Sequence, residues 1–441
     1  MGWAVFLIAP LYIYMVYNTA RTILRFLANV FPGLRRKPDP EKLAAAREKG
    51  EEAAKRAAEP RVKKPIAIAF TAVFTLLSML MPIGYFLKAG LLQKIFRRVG
   101  YFMLFYNMYF LMFAAVGALI GLILILAKVV SRDSFARGRF FRTVNCIVIL
   151  GSLAFCIYGE FNARILKEKH YSMTIEKDGG DLDADENGDK VLKIALLGDL
   201  HIGYNAGLKS MQQVVEKVNK EGVDVVLIAG DIFDNQYDAI ENPDAIAEAL
   251  SGFETKYGVY ACFGNHDVED NLIFGFNFSD GKSKPNDSRY YDFLAKAGIT
   301  ILTDESTELI ADSFYIVGRR DPEEVGLEDT KAKRKDAFTV AEGLDTNKLL
   351  IDLEHEPKEV DEVYSAGFDM QLCGHTHDGQ FFPFNLICRL AYFNSCGYRV
   401  YLDFLHTVTT AGVGSYGPYM RTLTDSEVTF IDVTLSGSSA A

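Results

Sequence analysis

Four long apolar segments in the first third of the chain constrain its fold more than any other feature. They lie at about residues 3–20, 65–87, 101–126 and 143–159. A helix needs about 20 mostly apolar residues to cross a bilayer, so the middle two qualify easily and the outer two are short. The first segment lacks a basic start and a small-residue cleavage site, which favours a retained helix over a signal peptide. Residues 1–168 are therefore predicted to form a multi-pass transmembrane domain of about four helices.

The two parts of the chain carry opposite charge. Residues 1–168 contain 24 Lys and Arg against 9 Asp and Glu, a net of +15. The remainder contains 23 against 48, a net of −25, and the two values sum to the −10 of the whole chain. Such asymmetry indicates different surroundings for each part. An acidic domain is also a poor nucleic-acid binder, so we expect no nucleic-acid partner.

Basic residues between the apolar segments predict the orientation. Residues 35–64, within the connector 33–64, contain eleven Lys and Arg, residues 128–142 contain five, and residues 88–100 contain four. Basic loops stay in the cytoplasm. Four spans then place the N-terminus and everything after residue 159 outside. We predict a multi-pass cell-membrane protein with an extracytoplasmic soluble domain, and an odd number of spans would reverse that side. The Ala-, Glu-, Lys- and Arg-rich connector is expected to be a solvated helix starting near Asp39 or Glu41.

From about residue 169, short strand-like runs alternate with amphipathic stretches. The runs are VLKIALLG (191–198), VDVVLIAG (223–230), GVYACFG (258–264), SFYIVG (313–318), KLLIDLE (348–354) and DMQLCG (369–374). Nearly continuous apolar strands are typical of sheets covered on both faces, so residues 169–441 are predicted to be an α/β domain. DADENGDK (183–190) matches half a calcium loop, but Ile194 stands where Glu is required, and Asn-Gly favours a hairpin turn.

Polar residues of a few types recur where these runs end. The motifs GDLH, GDIFD, GNHD, EHEP and GHTH follow five of the runs and contain five of the seven histidines. Their polar residues are Asp199, His201, Asp231, Asn265, His266, Asp267, His355, His375 and His377. Strand ends of an α/β sheet meet at one crevice, so these side chains are expected to converge. A single histidine would more simply be a surface residue, but five with their aspartates indicate one site.

The residue types indicate the metals that this site would bind. Carboxylate, imidazole and amide-oxygen ligands without thiolate suit manganese, which we expect, with iron or zinc as alternatives. The six cysteines include no Cys-x-x-Cys pair. A disulfide between Cys388 and Cys396, across a turn, stays an alternative. Two divalent ions about 3.5–4 Å apart need a bridging carboxylate; together they clamp a phosphoryl oxygen and acidify a bound water to hydroxide.

The motifs Asp-x-His, Gly-Asp, Gly-Asn-His-Asp and Gly-His-x-His, in this order over residues 190–435, resemble the calcineurin-like metallophosphoesterase family. GHTHDGQ and the terminal AGVGSYGPYMRTLTDSEVTFIDV are similar to its membrane-associated bacterial branch, which often has a second Gly where this chain has Asp378. The resemblance implies a two-sheet sandwich flanked by helices. The expected fold class is therefore this α/β sandwich, preceded by an α-helical transmembrane domain.

The resemblance also implies a role for each motif residue. The first metal would be held by Asp199, His201 and His377, and the second by Asn265, His355 and His375. Asp231 would bridge the two ions. His266 would face the scissile phosphate, stabilising charge or protonating the leaving oxygen. Asp267 would either orient that imidazole or start a helix as a cap. We leave Arg319 and Arg320 out of the site as solvated arginines, and interpret His170 and His406 as structural.

Together these features predict a membrane-anchored phosphoesterase. A hydroxide activated by two metals would hydrolyse a phosphate ester, on a phosphodiester or a lipid-linked envelope substrate. The alternative is a receptor-like membrane protein whose metal site is not catalytic, which would predict lost ligands. A transporter with a regulatory domain would need polar or charged residues within the spans. The spans are nearly uncharged, and Asn107 and Asn145 are the polar exceptions. The sequence does not indicate an oligomeric state.

Overall fold

A computed structural model describes residues 2–234, 236–267, 272–273, 276–277, 288–304, 307–321 and 334–437. The chain divides into two compact units, Met1–Tyr158 and Gly159–Ala441. The second unit starts ten residues before the boundary at residue 169 that the sequence suggested.

Helices make up most of the first unit. They are α1 (Gly2–Val30), α2 (Pro40–Glu48), α3 (Glu51–Ala57), α4 (Lys64–Gly84), α5 (Leu91–Leu126), α6 (Arg132–Arg137) and α7 (Arg139–Asn162), whose last turn belongs to the second unit. Among the described residues, three stretches are long and apolar enough to cross a membrane: Lys64–Gly84, Leu91–Leu126 and Arg132–Asn162. Helix α1 is not one of these three, so the fourth span stays a prediction.

Helices α4 and α5 pack closely where a glycine faces the neighbouring backbone. A Cβ at Gly100 would overlap the backbone of Met81. Small residues at such contacts let two membrane helices approach each other. Asn107, one of the polar exceptions noted above, is buried and donates a hydrogen bond to the carbonyl oxygen of Met103, 2.7 Å away. Its amide nitrogen is therefore satisfied within its own helix.

The connector between the first two apolar segments folds as expected for a solvated element. Strands β1 (Arg35–Arg36) and β2 (Arg61–Val62) pair antiparallel and enclose helices α2 and α3, neither of which contains a buried residue. Asp39 caps α2 by accepting hydrogen bonds from the amides of Glu41 and Lys42. The sequence suggested one helix; Gly50, with φ of 110°, divides it into two.

The second unit contains two six-stranded sheets. In spatial order the first contains β3 (Leu166–Ile175), β16 (Ser426–Leu435), β4 (Lys190–Leu197), β5 (Val225–Ala229), β6 (Val259–Cys262) and β9 (Ile299–Ile301). The second contains β10 (Thr307–Ile310), β11 (Phe314–Gly318), β12 (Leu349–Leu353), β13 (Met370–Cys373), β15 (Leu405–Thr409) and β14 (Gly397–Tyr401). The pair β7 (Leu272–Ile273) and β8 (Phe276–Asn277) is separate. Strands β4, β5, β6 and β9 run parallel, as do β11, β12, β13 and β15.

Apolar strand residues form the core between the two sheets. Ile194 and Leu227 of the first sheet belong to one buried cluster with Phe314, Ile316 and Ile351 of the second. Further apolar clusters join the sheets to flanking helices, which are α8 (Leu208–Glu221), α9 (Pro243–Leu250), α10 (Ser288–Lys296), α11 (Ala337–Ala341) and α12 (Val360–Ser365). Both faces of the central strands are therefore covered, which confirms the two-sheet sandwich flanked by helices.

The acidic segment before β4 is a turn. The amide of Asp185 donates to the carbonyl oxygen of Asp189, and the Asp185 side chain accepts hydrogen bonds from the amides of Asn187 and Asp189. The carboxylate of Asp185 is thus occupied by its own backbone, as in an Asx turn. This arrangement agrees with the hairpin interpretation rather than with a calcium loop.

Candidate metal centre

The strand-end residues named from the sequence come together at one edge of the sandwich. Asp199 and His201 follow β4, Asp231 follows β5, and Asn265 and His266 follow β6. His355 follows β12 of the second sheet, and His375 and His377 follow β13. Asp199, His201 and His377 have ligand atoms within 4.8 Å of one another, as do Asp199, Asp231 and His355, and also His201, Asp231 and His266.

Asp231 lies between the two groups of histidines. Its Oδ2 atom is 3.7 Å from Nε2 of His201 and 3.2 Å from Nε2 of His355. Its other oxygen, Oδ1, accepts a hydrogen bond from the amide of His266 at 2.8 Å. One carboxylate oxygen therefore faces imidazoles on both sides, which is the arrangement that a carboxylate bridging two metal ions requires.

On one side of Asp231, two imidazoles and a carboxylate form a compact donor set. Nε2 of His201 and Nε2 of His377 are 3.0 Å apart, and Nε2 of His377 is 3.3 Å from Oδ1 of Asp199. The carboxylate of Asp199 also accepts two hydrogen bonds from the amide of His375. This carboxylate is thereby held in place next to the two imidazoles.

On the other side, His355 is oriented by the end of β5 in the first sheet. Its Nδ1 atom donates to the carbonyl oxygen of Ala229 at 2.8 Å, which leaves Nε2 to face the site. That Nε2 lies 3.1 Å from Oδ1 of Asn265 and 3.2 Å from Nδ1 of His375. His375 turns its second nitrogen towards Glu356, whose Oε1 is 3.8 Å from Nε2.

Backbone conformation at the site is unusual. Five of the residues named as metal ligands have positive φ, a region that non-glycine residues seldom adopt: Asp199 (51°), His201 (45°), Asp231 (50°), His375 (71°) and His377 (51°). Each such residue costs about 1–3 kcal/mol, and such strain is typical of functional sites. A Cβ at Gly264 would lie 2.4 Å from Oδ1 of Asp231, so glycine is needed there for close approach.

Burial and neighbouring charge determine the protonation of these groups. Burial lowers the pKa of His375 to about 3 and lowers those of His201 and His377 well below their usual value, so these rings are neutral. Burial raises the pKa of Asp199 to about 7. Burial also opposes ionisation of Asp231, but the nearby imidazoles, His355 first, lower its pKa well below the ordinary value.

Imidazole nitrogens and carboxylate oxygens converge here at distances of 3.0–3.3 Å. Such a set fits divalent transition-metal ions, because imidazole nitrogen and carboxylate oxygen are their common ligands and no thiolate is present. Metal ions would also offset the repulsion between Asp199 and Asp231, which contributes to the raised pKa of Asp199. The residues therefore suit a pair of cations bridged by one carboxylate.

His266 and Asp267 lie on the loop after β6. The His266 ring is 4.9 Å from the His201 ring, edge to face, and 5.8 Å from the ring of Tyr416. Both oxygens of Asp267 accept backbone hydrogen bonds, from the amides of Phe233 and Gly264, each at 2.8 Å. Asp267 thus joins the loops after β5 and β6. These contacts favour a structural role, and its orienting role towards His266 stays a prediction.

Two residues of the site were not predicted from the sequence. Arg421 is fully buried, and its Nη2 atom donates to Nδ1 of His377 at 3.1 Å and to the carbonyl oxygens of Ala411 and Gly414, each at 2.7 Å. The ring of Tyr416 lies 5.1 Å from that of His377. Both residues occur in the terminal segment whose similarity to the bacterial branch was noted, so a signal existed without an assigned role.

Asp378 stands where the membrane-associated bacterial branch often has a second glycine, and its backbone conformation is one that glycine adopts easily. Its φ and ψ are 48° and 34°, in the left-handed region that Asp tolerates better than most residues. Burial raises the pKa of its carboxyl, and Arg389 lies 3.7 Å away. The carboxyl of Asp378 therefore adds an acidic group to the loop that carries His375 and His377.

The remaining residues considered from sequence lie outside this cluster. Arg319 is buried and ion-paired with Glu354, Glu359 and Glu362, so its interpretation as a solvated arginine is wrong. His170 is half-exposed, 3.6 Å from Glu221, and Nδ1 of His406 is hydrogen-bonded to the hydroxyl of Tyr398. Cys388 and Cys396 are free.

Residues 192–379, which include every residue of the cluster, match the family model described as calcineurin-like phosphoesterase. This part of the chain is therefore similar to a calcineurin-like phosphoesterase domain, in agreement with the motifs and with the clustered donor atoms.

Relatives of known name agree with this class. A protein of Danio rerio, "Transmembrane protein with metallophosphoesterase domain", is 29% identical over 327 residues, which are 69% of this chain and 67% of that protein. Phosphodiesterase YaeI of Escherichia coli (strain K12) is 28% identical over 255 residues, 55% of this chain and 82% of that protein. Among solved structures, a dimetal phosphatase from Danio rerio has a TM-score of 0.29 and 12% identity, over 49% of this chain and 86% of that one.

Proposed function

We propose that this chain is a membrane-anchored, dinuclear metal-dependent phosphoesterase that acts on a phosphodiester or a lipid-linked envelope substrate. The observation that carries the proposal is the position of Asp231, one of whose carboxylate oxygens faces imidazoles on both sides. A bound metal pair supplies Lewis-acid polarisation of a phosphoryl oxygen and acidifies water near neutral pH. Manganese is the expected metal, with iron or zinc as alternatives.

The geometry supports the following assignment of ligands. Asp199, His201 and His377 would hold the first ion, since their donor atoms form one compact group. Asn265, His355 and His375 would hold the second, since Nε2 of His355 lies within 3.2 Å of donor atoms of both partners. Asp231 would bridge. In this assignment Arg421 fixes the orientation of the His377 imidazole.

His266 is proposed as the residue that acts on the substrate. Its ring is next to His201 and Asp231, and it is nearly buried rather than freely solvated. Because the other imidazoles are assigned to the metals, His266 is left to stabilise charge on the phosphate or to protonate the leaving oxygen. Its closeness to His201 and Asp231 would also allow it to bind metal, and substitution distinguishes the two roles.

Membrane anchoring is proposed from the three long apolar helices and from the relative named as a transmembrane protein. With α1 as a fourth span, the basic connector lies in the cytoplasm and the catalytic unit lies outside the cell membrane. An anchored site favours substrates near the bilayer, and phosphate esters on lipid-linked molecules meet that condition.

The alternative is a receptor-like binding module with a non-catalytic metal site. A hydrolysis panel of monoester, diester and lipid-phosphate substrates with added manganese separates the two, using the full chain in detergent. Asp231→Asn is the matched control, because it keeps the size of the side chain and removes the bridging charge. We expect manganese-dependent hydrolysis that Asp231→Asn abolishes together with bound metal. Stoichiometric manganese without hydrolysis of any substrate would favour the binding module.

A further inference from the structure

Helix α13 (Phe384–Ala391), directly after the loop that carries His375 and His377, presents its apolar side to the surroundings. Leu386, Ile387 and Leu390 are 48%, 57% and 89% exposed. On the opposite side Asn385 is buried, and the guanidinium of Arg389, which is itself exposed, lies 3.7 Å from Asp378. A helix on a water-exposed domain has the reverse pattern. We call Leu386, Ile387 and Leu390 the α13 apolar face.

Further apolar side chains continue this exposed surface. Phe393, just after α13, packs against Tyr401 with ring centroids 5.1 Å apart. Tyr401 begins the tight turn of the β14–β15 hairpin, where Leu402 and Phe404 are 61% and 43% exposed. Neighbouring exposed apolar residues on two elements indicate a surface that is covered in the working protein.

The last turn of α7 shows what lies beside this surface. Within the second unit, Gly159 accepts a hydrogen bond from the amide of Arg421, and Asn162 donates one to the carbonyl oxygen of Thr424 at 2.7 Å. Thr422, which lies between Arg421 and Thr424, accepts a hydrogen bond from the amide of Phe382. Phe382 lies two residues before α13 begins. The end of a helix proposed to span the membrane is thus one short hydrogen-bonded segment away from the start of α13.

Side chains around that last turn have the character of a membrane–water boundary. Arg164 stacks on Phe161, with 5.5 Å from its guanidinium carbon to the ring centroid, and on Tyr419 at 5.8 Å. Phe161 is 62% exposed. Aromatic and basic residues concentrate at the level of lipid headgroups. If α7 spans the membrane, these side chains place the end of that span close to residue 162, which is joined to the start of α13 by the hydrogen bonds described above.

We propose that the α13 apolar face, with Phe393 and the hairpin turn, lies in the lipid interface of the same membrane as a monotopic docking surface. Interfacial helices insert their apolar side about 5–10 Å into the headgroup and acyl boundary. The loop with His375 and His377 is then held at the bilayer surface. Resting on the proposed function, this identifies the substrate class as phosphate esters of membrane-resident amphiphiles, whose phosphate reaches the metals without leaving the lipid.

Fluorescence quenching by lipid tests the docking directly in the full chain. The sequence contains a single tryptophan, Trp3, so Trp3→Phe gives a silent background. Leu390→Trp reports on the α13 apolar face, and Phe338→Trp, at a 54% exposed position of α11, is the matched control. Both proteins are placed in nanodiscs with and without brominated phosphatidylcholine.

The expected result is a fall of about twofold or more in Leu390→Trp emission with brominated lipid, and little change for Phe338→Trp, because an interfacial helix reaches the acyl region. Equal, weak quenching at both positions would overturn the proposal. Blue-shifted Leu390→Trp emission without lipid quenching would also overturn it, and would mean that a second copy of the chain covers this face.

Activity gives a second measurement that separates docking from catalysis. Leu386→Ser with Leu390→Ser should lower hydrolysis of a lipid-embedded phosphodiester about tenfold or more relative to soluble bis(p-nitrophenyl) phosphate, because each leucine contributes hydrophobic burial. Phe338→Ser should leave that ratio unchanged. An unchanged ratio in the double variant would refute the substrate class. Failure of the unmodified chain to hydrolyse either substrate would refute the proposed function and leave the quenching result standing.

Discussion

Replacing Arg421 by methionine tests whether this buried arginine holds the metal site together. Its guanidinium donates to the carbonyl oxygens of Asp425 at 2.6 Å and of Ala411 and Gly414 at 2.7 Å. A hydrogen bond from a charged donor is worth about 1.5–3 kcal/mol, and such losses are not additive, so we expect at least about 3 kcal/mol of destabilisation. In a unit of this size that lowers the Tm by about 6 °C or more.

The same change should weaken metal binding, because Arg421 also contacts Nδ1 of His377. Outer partners of metal-binding histidines are worth about 10–100-fold in affinity, so manganese titration by calorimetry should show a loss in that range. Scanning calorimetry of the full chain measures the Tm. Arg289→Met, which removes an exposed partner of Asp238, is the control and should change neither quantity. If the Arg421→Met variant has the same Tm and the same manganese affinity as the unmodified chain, this account is refuted.

Three further predictions concern catalysis, pH and topology. His266→Ala should keep both metals by elemental analysis and lose turnover by about 10²–10⁴-fold, and an emptied site would show that His266 is a ligand. Because burial raises the pKa of Asp199 to about 7 and metal needs the ionised form, the rise in Tm caused by manganese should grow between pH 6 and pH 8; a constant rise would contradict this. In a cysteine-free background, an impermeant thiol reagent on intact cells, or on spheroplasts if the outer envelope blocks it, should label Glu186→Cys and not Lys49→Cys. The reverse pattern would place the catalytic unit in the cytoplasm. Lys282, another site for such a test, lies outside the described residues.

The sequence pattern was sufficient to predict buried strands of an α/β domain and the converging cluster, for a physical reason, whereas the two-sheet sandwich was implied by the family resemblance. Apolar runs indicated buried strands, and each of five motifs stood directly at a strand end, so topology alone brought Asp199, Asp231 and His355 to the same edge. Local sequence determined both the strand and the position of the ligand. Where a strand and the ligand that follows it are both determined by local sequence, the position of the ligand can be predicted without knowledge of distant contacts.

Other features depended on contacts between distant parts of the chain. Arg421 reaches His377 only because the segment before β16 returns to the site, which no local pattern indicates. Arg319 followed a strand as an exposed arginine would, yet carboxylates from α12 and from the end of β12 surround it. The sequence also did not predict which side of α13 faces outwards, because an amphipathic pattern does not identify the side that packs against the protein.

The hydrogen bonds between the end of α7 and residues 421–424 determine where this protein can be divided. A fragment starting at His170 would lose the first four residues of β3, the long edge partner of β16, and also the Asn162 amide that donates to Thr424. The segment that contains Arg421 would then lose its support from Gly159 and Asn162, and through it the orientation of His377. A soluble enzyme should therefore be cut at or before Gly159. In this protein the last turn of α7 and the segment that contains Arg421 share hydrogen bonds, so removal of that turn should disturb the metal site.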